Sequence, residues 1–142
     1  MRLGKRCEAS EQATVIDWCK RSEGAIPELR LLYHIPNGGS RNGAEAANLK
    51  RQGVKSGVPD LHWPVARGAY IGLWIEMKYD KGDTSDNQDV WLLALQKAGH
   101  CVFVCYSADA AIRIISEYNR LGPEQALPYP VNEKAGYPIL KD

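Results

Sequence analysis

Apolar residues recur along this chain with two periods, and each change of period marks an element. From Ser10 to Arg21, Val15, Trp18 and Cys19 form an apolar stripe at helical spacing. Glu8, Glu11 and Gln12 share another face of that helix, because residues three and four apart are neighbours. Leu29 to Ile35 is a short apolar run ending at Pro36 and predicts a first strand. Asn37 to Gly43 is rich in turn formers, and Ala44 to Gln52 predicts a short helix stopped by Gly53. Gly57 to Trp63 and Tyr70 to Tyr79 read as the second and third strands, with Arg67-Gly68-Ala69 as the turn between them. Ser85 followed by Gln88 fits a capping box, and the helix it opens ends at Gly99. Cys101 to Tyr106 predicts a buried strand, and Ser107 caps a last helix over Ala108 to Tyr118. Leaving aside the short Ala44–Gln52 helix, the order is α-β-β-β-α-β-α, an α/β domain around a central mixed sheet. Residues 1–120 form the body. From Leu121 onward the chain carries Pro123, Pro128, Pro130 and Pro138 without periodicity, a tail expected to pack on the body or on a dimer partner.

The 142 residues suit one domain, and a hydrophobic share of 44% with 25% charged residues is that of an ordinary globular protein. No apolar run approaches the roughly 20 residues that span a bilayer, and no signal-peptide core follows the charged N-terminus, so a cytoplasmic location is expected. Cys7, Cys19, Cys101 and Cys105 form no CxxC pair, which argues against a zinc or disulfide framework. The net charge of +1 advertises no nucleic acid, but Arg41, Lys50, Arg51 and Lys55 cluster just before Asp60. Such a patch can neutralise phosphates without an extreme overall charge. A solvated helix face is the plainer explanation of these residues taken alone. Gly53-Val54-Lys55-Ser56-Gly57 has the wrong order and spacing for a nucleotide-binding phosphate loop. Backbone amides of the Asn37–Gly38 loop are a weaker candidate for a phosphate contact.

The chemistry concentrates at Asp60, Glu76 and Lys78. Residues i and i+2 of a strand point to one face, so Glu76 and Lys78 share a side. Gly68 is the midpoint between residues 60 and 76, so an antiparallel hairpin turning there sets Asp60 opposite Glu76. Opposed residues have β-carbons about 4.5–5.5 Å apart, and two bare carboxylates that close repel unless a cation lies between them. Pro64 argues against a perfect ladder, since it cannot donate to one. Against a purely structural explanation, Leu73-Trp74-Ile75 reads as a buried strand, where charges at both Glu76 and Lys78 need a reason. Mg²⁺ suits two carboxylates with phosphate and water as further ligands, and the Met77 carbonyl is a possible extra one. Lys78 would orient the attacking water or stabilise charge on the phosphate. Glu11 reaches the same region if the first helix packs across the sheet, and Glu8, on the same face, is the weaker alternative. His34 reads as a hydrogen-bonded structural histidine, Trp91 as a core anchor, and His62 shares the face of Asp60.

Pro59-Asp60 with Glu76-Met77-Lys78 matches the signature of PD-(D/E)XK nucleases. The wider pattern resembles the VRR-NUC branch of that superfamily. It comprises His34-Ile35-Pro36-Asn37-Gly38-Gly39, Gly53 to Leu61, Glu76-Met77-Lys78, Ser85, Gln88 and Trp91, within Glu8 to Tyr118. The resemblance implies a restriction-endonuclease-like core and a Mg²⁺- or Mn²⁺-dependent DNA endonuclease. Asp60, Glu76 and Lys78 would then be catalytic, with Glu11 and Gln88 contributing. Stand-alone bacterial and phage members act on four-way (Holliday) junctions as homodimers, so branched DNA and a second copy are the expected partners, in a bacterial or phage-infected cell. A flap or single-strand nuclease with the same site, and a non-catalytic DNA-binding module, are the alternatives.

Overall fold

A computed structural model of the chain describes residues 5–36 and 42–142. Its five-stranded sheet has the order β1-β2-β3-β4-β5, comprising Tyr33–His34, Leu61–Trp63, Leu73–Met77, Cys101–Cys105 and Ile139–Leu140. The first three strands pair antiparallel and the last three parallel, so the sheet is mixed. The parallel step from β3 to β4 needs a crossover, and helix α3 (Asp86–Lys97) supplies it.

Alternation along β3 divides the molecule into two layers. Leu73, Ile75 and Met77 point into a core closed by α1 (Glu8–Ser22) and α4 (Ala108–Asn119), with Val15, Cys19, Ile114, Ile115 and Tyr118 opposite them. Trp74 and Glu76 point to the other face, where α3 buries Leu92 against Val102, Val104 and Tyr137. Tyr137 brings the tail into this second core, and β5 then pairs with β4 of the same chain. Helix α2 (Gly43–Arg51) buries none of its residues.

Several boundaries differ from the sequence expectation for identifiable reasons. The run from Leu29 to Ile35 is not one strand. Pro27 at the start of a 3-10 turn over Pro27–Leu31 sets a helical φ, and only Tyr33–His34 pair as β1. Strand β2 stops at Trp63 because Pro64 has no amide to offer the ladder. The turn is where the glycine predicts it: Gly68 has φ +56, and a β-carbon there would collide with the carbonyl of Gln125. Helix α1 begins at Glu8 rather than Ser10, capped by Cys7. The thiol accepts from Ser10 N, and the Ser10 hydroxyl accepts from Cys7 N at 2.8 Å.

Candidate active site

The ladder between β2 and β3 pairs Leu61 with Ile75 and His62 with Trp74. One further step in that register sets Asp60 against Glu76, the arrangement predicted for a turn at Gly68. Asp60 sits just before β2, and its Oδ2 accepts from the Met77 amide at 2.8 Å. Its carbonyl accepts from Ile35 N at 2.8 Å and from His34 Nδ1 at 2.7 Å, so His34 holds the backbone of Asp60 in place. Glu76 lies near the end of β3 and is 1% exposed. Lys78, one residue past the strand, donates its amide to Cys105 O and brings Nζ to 3.4 Å from Glu76 Oε2.

Gln88 does two things at once. Its Oε1 accepts from Ser85 N at 2.8 Å, completing the capping box of α3, while its Nε2 donates to Glu76 Oε2 at 3.2 Å. A side-chain amide has an acceptor end and a donor end, so the cap and the site contact do not compete. Gly57 allows this approach. With φ +90, its missing β-carbon leaves room for the Asn87 backbone, which a β-carbon would meet at 2.7 Å.

Glu11, expected at the site, is held elsewhere. Its Oε1 accepts from Arg6 at 2.7 Å and from the amide of Ala108 at 3.4 Å, at the start of α4. A carboxylate is favoured there by the unpaired amides and the helix dipole. Glu8, in the first turn of α1, takes the place instead. Carboxylate oxygens of Glu8, Asp60 and Glu76 all lie within 4.8 Å of one another. The signal that ranks Glu8, the weaker sequence alternative, above Glu11 is the Cys7–Ser10 capping box, which places residue 8 at the helix start.

The electrostatics of this cluster are unbalanced. The Glu76 carboxyl is pushed up to about 9, first by burial and then by Asp60, with Lys78 opposing. Burial raises the Glu8 carboxyl as well; Lys78 counters that and Asp60 adds to it. Glu76 Oε1 is buried and has no hydrogen-bond partner among the described residues. Leaving such an oxygen unmatched costs about 1–3 kcal/mol. Three convergent carboxylates, one with an orphaned oxygen, form the hard oxygen donor set that a divalent cation satisfies.

Beside this cluster runs a groove of about 350 Å³ between the end of α2 and the start of α3, lined by Lys50, Val54, Lys55, Asn87, Val90 and Trp91. Lys50 and Arg51 lie in the last turn of α2, and both they and Lys55 are exposed. Trp91 is half-buried in the groove wall rather than sealed in the core. Asn37, Gly38 and Arg41 lie outside the described residues.

Residues 6–109 match the VRR-NUC domain family. The chain belongs to the VRR-NUC family. A solved structure described as a VRR_NUC domain protein superposes with a TM-score of 0.73 at 36% identity, covering 85% of this chain and 94% of the other. No curated protein matches significantly. As a VRR-NUC domain the chain is a nuclease of the PD-(D/E)XK type, which makes DNA its partner. Asp60, Glu76 and Lys78 occupy the signature positions of that type, and Glu8 supplies a third carboxylate.

Proposed function

We propose that this VRR-NUC protein is a Mg²⁺- or Mn²⁺-dependent endodeoxyribonuclease that cuts branched DNA, four-way junctions foremost, as a homodimer. The observation that carries the metal-dependent part is the orphaned, buried Glu76 Oε1 within reach of Asp60 and Glu8. These three carboxylates, with the Met77 carbonyl as a further ligand, would hold the ion. The bound ion would polarise a phosphoryl oxygen and acidify water.

The chain's own residues do the rest. Lys78 Nζ lies 3.4 Å from Glu76 Oε2, and beside a bound phosphate its ammonium would stabilise developing negative charge and orient the attacking water. Gln88 fixes the rotamer of Glu76 from the start of α3, so the carboxylate is aimed before substrate arrives. Lys50, Arg51 and Lys55 contact backbone phosphates along the groove, which supplies affinity without reading sequence. Arg41 and the Asn37–Gly38 amides, which lie outside the described residues, are further candidates for phosphate contact from the sequence alone. A second copy would supply a second active site for the paired strands of a branched substrate.

The test is cleavage of labelled four-way junction, flap, single-stranded and linear duplex DNA, with Mg²⁺, Mn²⁺ or EDTA. Metal-dependent cutting with the junction preferred is the expected result. Preference for flaps or single strands would keep the chemistry and reassign the substrate. DNA binding with no cutting under any metal would overturn the enzymatic proposal in favour of a binding module. A monomer at micromolar concentration in sedimentation would remove the dimer.

A further inference from the structure

Two residues along from the carboxylates, the same sheet face carries rings. Cross-strand pairing sets Tyr33 beside His62 and His62 beside Trp74. His62 follows Asp60 by two residues and Trp74 precedes Glu76 by two. The Tyr33–His62–Trp74 row therefore lies on the face of the carboxylates, about 6.6 Å from them along the strands.

The row is built rather than accidental. His62 stacks on Trp74 with centroids 3.7 Å apart and planes 11° from parallel. The Tyr33 hydroxyl is hydrogen-bonded to His62 Nδ1 at 2.8 Å, and Trp74 Nε1 donates to His100 Nδ1 at 3.2 Å. These bonds fix the ring orientations. The packing of Trp74 against Leu92, Val102 and Val104 accounts for one end of the row. Nothing in the core accounts for the other end, since Tyr33 is 47% exposed on the edge strand.

We infer that the exposed Tyr33 ring, set edge-on against His62 at 5.3 Å and 69° and held by the His62–Trp74 stack behind it, is a stacking platform for one unpaired base next to the scissile phosphate. The inference deepens the proposed nuclease activity and rests on it. Aromatic faces bind any base, because every base has a π-face. A base inside continuous duplex has both faces covered by its neighbours. Only a strand with an unstacked nucleotide at the cut, as in a flap, a single strand or a junction opened at its branch point, can use the row. The platform is thus a selector for interrupted DNA, placed two residues along the strands from the chemistry and independent of the lysine groove.

The experiment uses the full chain with single-stranded oligonucleotides carrying 2-aminopurine at successive positions, Ca²⁺ replacing Mg²⁺. In parallel, cleavage of junction and duplex DNA is measured with Mg²⁺. Wild type should quench 2-aminopurine at one or two adjacent positions. Tyr33→Ala should abolish that quenching and lower the ratio of junction to duplex kcat/KM about tenfold, the usual scale for a lost base–aromatic stack. Tyr33→Phe should retain both, and an unchanged far-ultraviolet spectrum with an unchanged melting point guards against misfolding. If one variant misfolds, His62→Ala repeats the test from within the row. Undiminished quenching in Tyr33→Ala, or equal losses on junction and duplex, would overturn the inference. If wild type cuts no DNA, the nuclease proposal fails, while the quenching series still decides the platform.

Discussion

Replacing Glu76 with glutamine should make the metal-free protein more stable while removing its activity. In the folded chain the Glu76 carboxyl is pushed up to about 9 from an ordinary 4.5, chiefly by burial. A carboxyl raised in this way contributes its full stability below pH 4.5 and loses it as pH rises toward 9, because the unfolded chain sheds the proton first. From pH 4.5 to pH 7 the linkage slope of 1.36 kcal/mol per pH unit accumulates to about 3 kcal/mol of destabilisation. Glutamine is neutral in both states and escapes that cost. Its carbonyl can accept from Gln88 and Lys78 as Oε2 does, and its amide can donate toward Asp60 as the protonated Glu76 carboxyl does, so the gain is the escaped ionisation cost rather than a new contact. Urea denaturation in EDTA at pH 7 should show a midpoint shift worth about 2–4 kcal/mol at constant m. The gain should shrink toward zero at pH 4.5, and Mg²⁺ should stabilise wild type but not the variant. A Glu76→Gln protein less stable than wild type in EDTA at pH 7 would refute the assignment of Glu76 as a strained buried carboxyl.

Lys78→Ala should lower kcat by about 10²–10³-fold with Mg²⁺ affinity retained or improved, checked by single-turnover cleavage and calorimetry. Glu8→Gln should weaken Mg²⁺ binding about tenfold, whereas Glu11→Gln should leave that affinity alone and cost about 1–2 kcal/mol of stability, since its partners are Arg6 and the first turn of α4. Gly57→Ala should destabilise by more than about 1 kcal/mol and reduce cleavage, because the added carbon meets the Asn87 backbone at 2.7 Å beside Gln88; a melting point equal to wild type would refute the packing argument. Removing Lys50 or Lys55 should each flatten the salt dependence of duplex binding by about 0.9 in the log–log slope, with Mg²⁺ affinity unaltered.

The parts of the molecule legible in the sequence are those with local causes. Ser85 with Gln88 and Ser107 announced two helices through cap chemistry, and both begin where the serines set them. The hairpin register needed only the period of a strand and the position of Gly68, and Pro64 shortened the ladder without slipping it. What stayed hidden depends on contacts distant in sequence or on an unusual cap. A thiol capping α1 is outside the usual cap residues, so the sequence pattern starts the helix at Ser10 and favours Glu11 over Glu8. The run from Leu29 to Ile35 is apolar enough for a strand, yet Pro27 and the burial of Leu29 turn it first into a 3-10 helix. Strand β5 has two residues in a proline-rich segment, and only pairing with β4 makes it a strand. The ring row at Tyr33, His62 and Trp74 draws on three strands, so no single stretch of sequence displays it.

Gln88 carries a consequence for how substitutions at this position should be scored. In a capping box glutamate and glutamine are near synonyms, since either oxygen can accept from the first free amide. At residue 88 they are opposites. Glutamate would keep the cap and set another negative charge against Glu76; asparagine would lack the reach to serve both partners. One atom, the nitrogen at the far end of the side chain, ties this helix start to the buried Glu76 carboxyl, and any comparison that treats the two residue types as interchangeable is blind to it.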